Sequence, residues 1–176
     1  LINNNFSKNH HIIFGVNKLE KNTGSLYNSL VLVNNEFEII QNYNKQKLVP
    51  FGEFLPFENL LNKLGLKKIT EGHGSFQKGI KQNNIKIGQL NILPLICYEV
   101  IFAKLIQDSN SDTNLIINVS EDGWFGDTIG PNQHYAKSIF RAIEKGTFLL
   151  RSANKGISVI LDNKGTSKKQ LNRNEA

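Results

Sequence analysis

The most reactive side chain of the sequence is its single cysteine, Cys97, which follows the apolar run Asn91 to Ile96. Residues Glu99 to Ile106 continue with helical character, so the segment predicts a strand, a sharp turn and a helix. A thiol at such a turn lies at the edge of the sheet, near the positive end of a helix dipole. Both effects favour the nucleophilic thiolate. The alternative is a buried structural cysteine, because free cysteine often behaves as a small apolar residue.

A second candidate group lies in the segment Tyr43 to Pro56, where two prolines and a glycine follow a strand-like stretch. These residues predict a rigid, extended loop. Lys45 stands at the end of the strand, and Lys47 follows two residues later on the same side. A lysine beside the cysteine could stabilise a thiolate and then a tetrahedral oxyanion. The alternative is a pair of solvated lysines at a sheet edge.

A third candidate region is the glycine-rich loop that follows the strand-like residues Leu115 to Asn118. It contains Trp124, the only tryptophan, and Phe125 beside it. Open α/β sheets place their sites at the carboxyl ends of strands, which favours a functional loop. Two aromatic side chains that only anchor the loop on the core are the alternative.

Four motifs together resemble the nitrilase (carbon–nitrogen hydrolase) superfamily, and within it most closely the periplasmic domain of the bacterial apolipoprotein N-acyltransferases. The resemblance covers nearly the whole chain, from about residue 11 to about residue 165. The V-P-F-G-E and W-F-G-D-x-I-G-P strings are the elements specific to the acyltransferases. The motifs are Y-x-K-x-x-L-V-P-F-G-E-F-L-P (Tyr43 to Pro56), I-C-Y-E (Ile96 to Glu99), W-F-G-D-x-I-G-P-x-Q-H (Trp124 to His134) and L-L-R-S-A-N-K-G-I-S (Leu149 to Ser158).

This resemblance implies a Glu–Lys–Cys triad. It makes Cys97 the nucleophile, Lys45 the group that stabilises the oxyanion, and Glu53 a supporting carboxylate. The residues it places around the nucleophile or the acyl pocket are Tyr98, Glu99, Trp124 and Phe125.

The general-base glutamate of the family is the one member of the triad that the resemblance does not assign here. It stands in an F-P-E type motif upstream of the segment that matches His11 to Val16. None of Glu20, Glu36 or Glu38 occurs in such a motif. We therefore expect the base to lie upstream of residue 1.

The resemblance implies an α/β fold, the nitrilase-like α-β-β-α sandwich of mixed sheets covered by helices, incomplete at both ends. We expect residues 1–165 to form a partial carbon–nitrogen hydrolase domain and residues 166–176 to form a disordered polar tail. An amphipathic segment is expected from Glu58 to Leu66, and a turn from Asp162 to Gly165. The periodicity predicts a hairpin through Asn34 and Asn35, helices over 99–106 and from 131 to Gly146, and strands over 11–16, 29–33, 37–41, 85–89, 92–96, 115–118, 148–152 and 157–161.

Composition excludes several classes of function. The net charge is +6, but arginine is limited to Arg141, Arg151 and Arg173, so a nucleic-acid surface is not expected. One cysteine excludes an internal disulfide or a cysteine-based zinc cluster, and the four histidines have no metal-ligand spacing. We expect neither a metal nor another cofactor.

The acyltransferase resemblance implies a location in the bacterial inner membrane, with this domain on the periplasmic side. The membrane helices would lie outside this chain, which has no apolar window of about 18 residues. The expected partners are a phospholipid as acyl donor and the N-terminus of a lipoprotein as acceptor. Two alternatives remain open, a soluble amidase or nitrilase and a non-catalytic remnant that lacks its base.

Overall fold

The computed structural model describes residues 7, 9–57, 75–80, 84–173 and 175, and these residues form two sheets. The smaller sheet is antiparallel, with the strand order β1-β2-β3. The β2–β3 hairpin closes through Asn34 and Asn35, and Val33 pairs with Ile39. The strands are β1 (Ile12–Glu20), β2 (Ser25–Val33) and β3 (Ile39–Asn44).

The larger sheet has the strand order β4-β5-β6-β7-β8-β9. Its three central strands β5, β6 and β7 are parallel, and the outer pairs are antiparallel. The carboxyl ends of the parallel strands therefore meet at one edge, where α/β proteins place their sites. The strands are β4 (Ile85–Ile87), β5 (Leu90–Ile96), β6 (Leu115–Glu121), β7 (Phe148–Asn154), β8 (Ser158–Leu161) and β9 (Ser167–Leu171).

The described helical segments follow β5 and β6 at that edge. After β5 comes a 3₁₀ turn, Cys97–Ile101, and then the short helix α1 (Ala103–Gln107). After β6 comes a second 3₁₀ turn, Asp122–Phe125, and then the long helix α2 (Gly130–Lys145). Pro131 begins α2 and the left-handed Gly146 ends it, as proline and glycine commonly do at these two positions.

Two apolar clusters form the core, one on each face of β5. Leu93 and Leu95 pack with residues of β6 to β8 and with Ala142 of α2. Ile92 and Ile96 pack with Leu30, Leu32 and others of the small sheet. A helix layer, the large sheet and the small sheet are thus stacked in that order, consistent with the expected α-β-β-α sandwich.

Most predicted elements are found, with shifted ends, but two expectations are wrong. The predicted helix over 99–106 is interrupted, because Phe102 is extended and separates the 3₁₀ turn from α1. Residues 166–176 do not all form a disordered tail, because Ser167–Leu171 pairs with β8 as an edge strand. The division of the chain at residue 165 stays a prediction, and the expected amphipathic segment Glu58 to Leu66 lies outside the described residues. Within the described part of the chain, no helix is long and apolar enough to cross a membrane.

Candidate active site

Cys97 lies directly after β5, at the carboxyl edge of the parallel strands. Its backbone is left-handed, with a φ of +48°. A residue other than glycine is strained in this region by about 1–3 kcal/mol, and such strain persists only where the surroundings enforce it. The half-buried thiol lies 3.9 Å from the backbone oxygen of Glu121. A sharp strand-to-helix turn of this kind is a common way to present a nucleophile above a sheet.

Glu99, two residues after the cysteine, is completely buried and accepts four hydrogen bonds. Its Oε2 accepts from the amide of Ile96 at 2.9 Å. Its Oε1 accepts from the Tyr43 hydroxyl and from the amides of Gln46 and Lys47 at 2.6–3.0 Å. Burial raises the pKa of Glu99 above its ordinary value, while the three amides and the nearby charge of Lys45 act in the opposite direction. Burial beside Glu99 also raises the pKa of the Tyr43 phenol, which therefore stays protonated and donates.

The carboxylate of Glu99 thereby joins the two segments that carry the predicted nucleophile and lysine. The amide of Ile96 precedes Cys97, and the amide of Gln46 follows Lys45. Hydrogen bonds in such a water-excluded position are stronger than in water, so they hold the two segments together. The side chain that sequence analysis placed among the neighbours of Cys97 is thus a structural link.

Lys45 is only 1% exposed, and its ammonium group pairs with both carboxylate oxygens of Glu53 at 2.8–2.9 Å. Glu53 is fixed in turn by the side chain of Asn28 at 2.6 Å and by the amide of Val49 at 2.8 Å. A buried ion pair is tolerated only with such additional hydrogen bonds. The alternative of a solvated Lys45 is therefore wrong. Lys47 is half-buried, and its ammonium lies 5.7 Å from the ring centre of Phe102.

The described segment 75–80 lies over the loop that contains this ion pair. The amide of Phe76 donates to the carbonyl of Glu53, and the amide of Gly79 donates to the carbonyl of Lys45. Gly79 is needed for this approach, because a Cβ there would overlap the backbone of Asn44. The segment is therefore fixed to the backbone of the loop on both sides of the ion pair.

The aromatic residues around the site differ in their surroundings. Trp124 is 68% exposed, on the loop after β6. Phe125 is half-buried and contacts the ring of His134 edge-on, with ring centres 5.5 Å apart. Tyr98 contacts Phe102 in the same manner at 5.3 Å. Of these side chains, Trp124 has most of its surface available to a ligand.

Beneath the cysteine turn lies a buried polar cluster that the sequence analysis did not assign, formed by Asn118, Asp122, His134 and Arg151. Asp122 bonds to Nδ1 of His134 at 2.8 Å and to Arg151 at 2.6 Å, and Ser120 donates to it at 2.7 Å. Arg151 also donates to Asn118, whose amide donates to the carbonyl of Leu95. Burial opposes ionisation of Asp122, but its bonds to His134 and Ser120 and the charge of Arg151 hold its pKa below the ordinary value.

Nε2 of His134 lies 3.1 Å from the backbone oxygen of Cys97, which connects this cluster to the cysteine turn. His134 and Arg151 both occur in the family motifs, where they carried no role. Their occurrence in these motifs is the sequence signal by which they could have been identified as part of the site.

The glutamates rejected as general base lie in exposed or peripheral positions. Glu36 and Glu38 are exposed in the β2–β3 hairpin, and Glu20 at the end of β1 pairs with Lys18 at 3.6 Å. Among the described residues, no group of histidine, cysteine and acidic side chains is arranged to hold a metal ion.

Comparison with known proteins gives both sequence and fold relatives. A family model described as carbon-nitrogen hydrolase matches residues 5–176. Over 140 residues the chain is 42% identical to an apolipoprotein N-acyltransferase of Rhizobium leguminosarum bv. trifolii. That match covers 79% of this chain and 26% of the relative, so the chain spans about a quarter of the length of that protein.

Two solved structures share the fold at low sequence identity. An amidase from Nesterenkonia sp. aligns with a TM-score of 0.64 at 17% identity, over 94% of this chain and 58% of the amidase. Nit3 of Saccharomyces cerevisiae, a member of the nitrilase superfamily, aligns with a TM-score of 0.69 at 17% identity, over 92% and 55% of the two chains.

Proposed function

The chain belongs to the carbon–nitrogen hydrolase family, and from this membership we propose that it supplies part of the catalytic domain of an apolipoprotein N-acyltransferase. The relatives that carry this name support the proposal through their sequence identity. They also confirm the resemblance that the motifs indicated. The activity, substrates and location proposed below concern the complete protein, of which this chain is about a quarter by the length of those relatives.

The observation that carries the proposal is the position of Cys97. Its thiol stands on a strained turn at the carboxyl edge of β5, and Glu99 ties that turn to the segment of Lys45. A thiol on a strained turn, joined through Glu99 to the segment of a buried lysine, suits acyl transfer through a covalent intermediate. We assign Cys97 as the nucleophile, Lys45 as the group that stabilises the oxyanion, and Glu53 as the residue that fixes Lys45.

In the first half-reaction, the Cys97 thiolate attacks the ester carbonyl of a phospholipid acyl chain. A carbon–sulfur bond forms, and negative charge develops on the carbonyl oxygen near Lys45. The carbon–oxygen bond of the ester then breaks, and a general base returns the thiol proton to the departing lysophospholipid. In the triad that the resemblance implies, this base is a glutamate, which takes the proton of the Cys97 thiol before the attack. A thioester on Cys97 remains.

In the second half-reaction, the acceptor is the α-amine of the N-terminal diacylglyceryl-cysteine of a lipoprotein. The amine attacks the thioester carbonyl, a carbon–nitrogen bond forms, and the thiolate leaves while the nitrogen loses a proton to the base. Trp124 and Phe125 are the aromatic residues assigned to the acyl pocket, and Trp124 has the surface to contact an acyl chain. Apolar cover of this kind would slow hydrolysis of the thioester.

We further propose that the complete protein lies in the bacterial inner membrane, with this domain on the periplasmic side. Both the acyl donor and the acceptor are lipids held in a bilayer, so a membrane-anchored catalytic domain meets them by diffusion in two dimensions. No cofactor takes part in either half-reaction.

The test is mass spectrometry of the complete protein after incubation with phosphatidylethanolamine. We expect an added acyl mass on the peptide that contains Cys97, and we expect hydroxylamine to remove it, as it cleaves thioesters. Cys97→Ala should carry no adduct. An acyl mass that persists in Cys97→Ala would contradict the assignment of the nucleophile.

Two other outcomes correspond to the alternatives. Release of ammonia from small amides without an acyl adduct would indicate an amidase or nitrilase activity. An unmodified protein that also leaves amides intact would indicate a remnant that keeps the fold without the chemistry.

A second experiment tests the second half-reaction. A lipoprotein peptide with a free α-amine should remove the acyl mass from Cys97, and an N-acetylated peptide is the matched control.

A further inference from the structure

The buried cluster of Asn118, Asp122, His134 and Arg151 contacts the nucleophile through its backbone. Nε2 of His134 lies 3.1 Å from the carbonyl oxygen of Cys97, on a ring that is 4% exposed. This carbonyl belongs to the residue whose φ is +48°. The hydrogen bond therefore joins the strained residue of the turn to a residue of α2 that lies 37 positions later in the sequence.

The hydrogen-bond partners of the His134 ring indicate which of its two nitrogens carry a hydrogen. A carbonyl oxygen can only accept, so Nε2 must carry a hydrogen to bond with Cys97. An ionised carboxylate also only accepts, so Nδ1, 2.8 Å from Asp122, must carry a hydrogen as well. Nη2 of Arg151 lies 3.2 Å from Nδ1 and 2.6 Å from Oδ2 of Asp122, and we assign its hydrogen bond to the carboxylate, which is the nearer and the charged acceptor.

The charges around the ring are compatible with an imidazolium. Asp122 lies between His134 and Arg151 and has no exposed surface. Ser120 donates a further bond to it, and low pKa keeps its carboxyl group ionised. Glu121, which follows Ser120, bonds to the amide of Gly123 and the side chain of Asn154. Phe125 covers the ring from the loop side.

We propose that His134 is a positioning residue of the acyl-transfer site, which as a doubly protonated ring ties the Cys97 carbonyl to Asp122 and so holds the left-handed turn that aims the thiol. Arg151 fixes Asp122 from the opposite side and Asn118 fixes Arg151. Gly156 leaves the room for Asp122, since a Cβ there would overlap its carboxylate. The inference rests on the proposed function only in taking Cys97 as the nucleophile.

Two amide variants of the complete protein separate the two bonds of the ring. In His134→Gln the amide nitrogen reaches the position of Nε2 and can still donate to Cys97. In His134→Asn it reaches only the position of Nδ1, so the bond to Asp122 is kept and the bond to Cys97 is lost. The exposed His11→Asn is the matched control.

The readout is the second-order rate of alkylation of Cys97 by iodoacetamide, which needs no acyltransferase activity. We expect His134→Asn to react about tenfold more slowly than the wild type, the factor equivalent to about 1.4 kcal/mol. We expect His134→Gln and His11→Asn to stay within about threefold of the wild type. In acyl transfer, His134→Asn should lower kcat with little change in KM, because substrate binding does not use the ring.

A wild-type rate in folded His134→Asn, or equal losses in the Asn and Gln variants, would overturn the proposal. If His134→Asn does not fold, ¹⁵N NMR of histidine-labelled wild type decides, with the His134 signals assigned by their loss in His134→Gln. Two protonated ring nitrogens are expected, and one bare nitrogen would overturn the proposal. A reactive Cys97 in a protein that transfers no acyl group would count against the proposed function alone.

Discussion

At the scale of single residues, the site depends on charged groups that are kept from water. Lys45 and Asp122 are both buried, and each is surrounded by partners that compensate its charge. Removing one member of such a group leaves the others desolvated and unpaired, which costs more than the pair itself contributes. The charged side chains of this site are therefore important for stability as well as for chemistry.

Glu53→Gln should strongly destabilise the protein. The variant leaves the Lys45 ammonium buried without its counter-charge, and we expect a loss of about 3–5 kcal/mol in the free energy of unfolding. Urea unfolding of the purified variant measures the loss. The double variant Lys45→Met with Glu53→Gln should recover part of it, because no buried charge remains. Equal stability of Glu53→Gln and wild type would contradict the pairing.

Acid stability should depend on Asp122. Its pKa is lowered on folding, so the carboxylate stabilises the fold fully above the unfolded pKa of about 3.9, and this stabilisation is lost as pH falls through the lower folded value. The melting temperature should therefore decline below about pH 4. Asp122→Asn should be less stable at pH 7 and should show a shallower decline in acid. The exposed Asp108→Asn should melt like the wild type at pH 7, as most surface substitutions do.

At the scale of elements, the site is assembled where three chain segments meet at the carboxyl edge of the large sheet. β5 supplies the turn with Cys97, the loop after β3 supplies Lys45, and segment 75–80 covers that loop. The last contact depends on close approach of two backbones at Gly79. It is therefore sensitive to a single added methyl group.

Gly79→Ala should displace the cover of the lysine loop. The new Cβ would overlap the carbonyl of Asn44, so the segment must move and the bond from residue 79 to the carbonyl of Lys45 should be lost. We expect faster hydrogen exchange of the Phe76 amide, together with lower acyl transfer. Gly15→Ala is the control, because a Cβ there has only one distant neighbour. Unchanged exchange in Gly79→Ala would contradict the close approach.

The sequence predicted elements whose signals are local and missed those whose causes are distant. The hairpin through Asn34 and Asn35 and the end of α2 at Gly146 were predicted, because turn and cap residues act within a few positions. β9 was missed because Ser167–Leu171 is an exposed, lysine-containing edge strand without apolar alternation.

The candidate site shows the same difference between local signals and distant contacts. The motifs identified Cys97 and Lys45, and their catalytic roles stay predictions. The burial of Lys45 could not be predicted, because its ion pair with Glu53 forms only in the folded chain. The contact of His134 with Cys97 joins residues 37 positions apart, and no periodicity encodes it.

At the scale of the whole molecule, the large sheet is covered unevenly by the described residues. One face of β8 packs under the helices, where Leu161 is completely buried. The opposite face is open near Ile160, where an apolar groove of about 450 Å³ is lined by Ile13, Ile117, Val119, Leu150 and Leu171, among others. Adjacent residues of one strand therefore have very different environments.

Truncation of two neighbouring residues should reveal this difference. Leu161→Ala should lower the free energy of unfolding by about 2–5 kcal/mol, the usual cost of such a change in a packed core. Ile160→Ala should cost less than about 1 kcal/mol, since its side chain already meets solvent. Urea unfolding of the 176-residue chain compares them. Equal losses would mean that the groove is filled and its lining packed like the core.

The hydrogen bonds by which Glu99 joins the Cys97 and Lys45 segments have a consequence for the proposed reaction cycle. The proposed cycle takes a phospholipid and a lipoprotein in turn, so the entrance to the site would have to reopen between its two half-reactions. Glu99 accepts hydrogen bonds from the backbone beside Cys97 and from the backbone beside Lys45. We therefore expect these two residues to move together. A movement of the loop that carries Trp124 would then leave the relative position of Cys97 and Lys45 unchanged. The proposed exchange of two bulky substrates would therefore not separate the proposed nucleophile from its lysine.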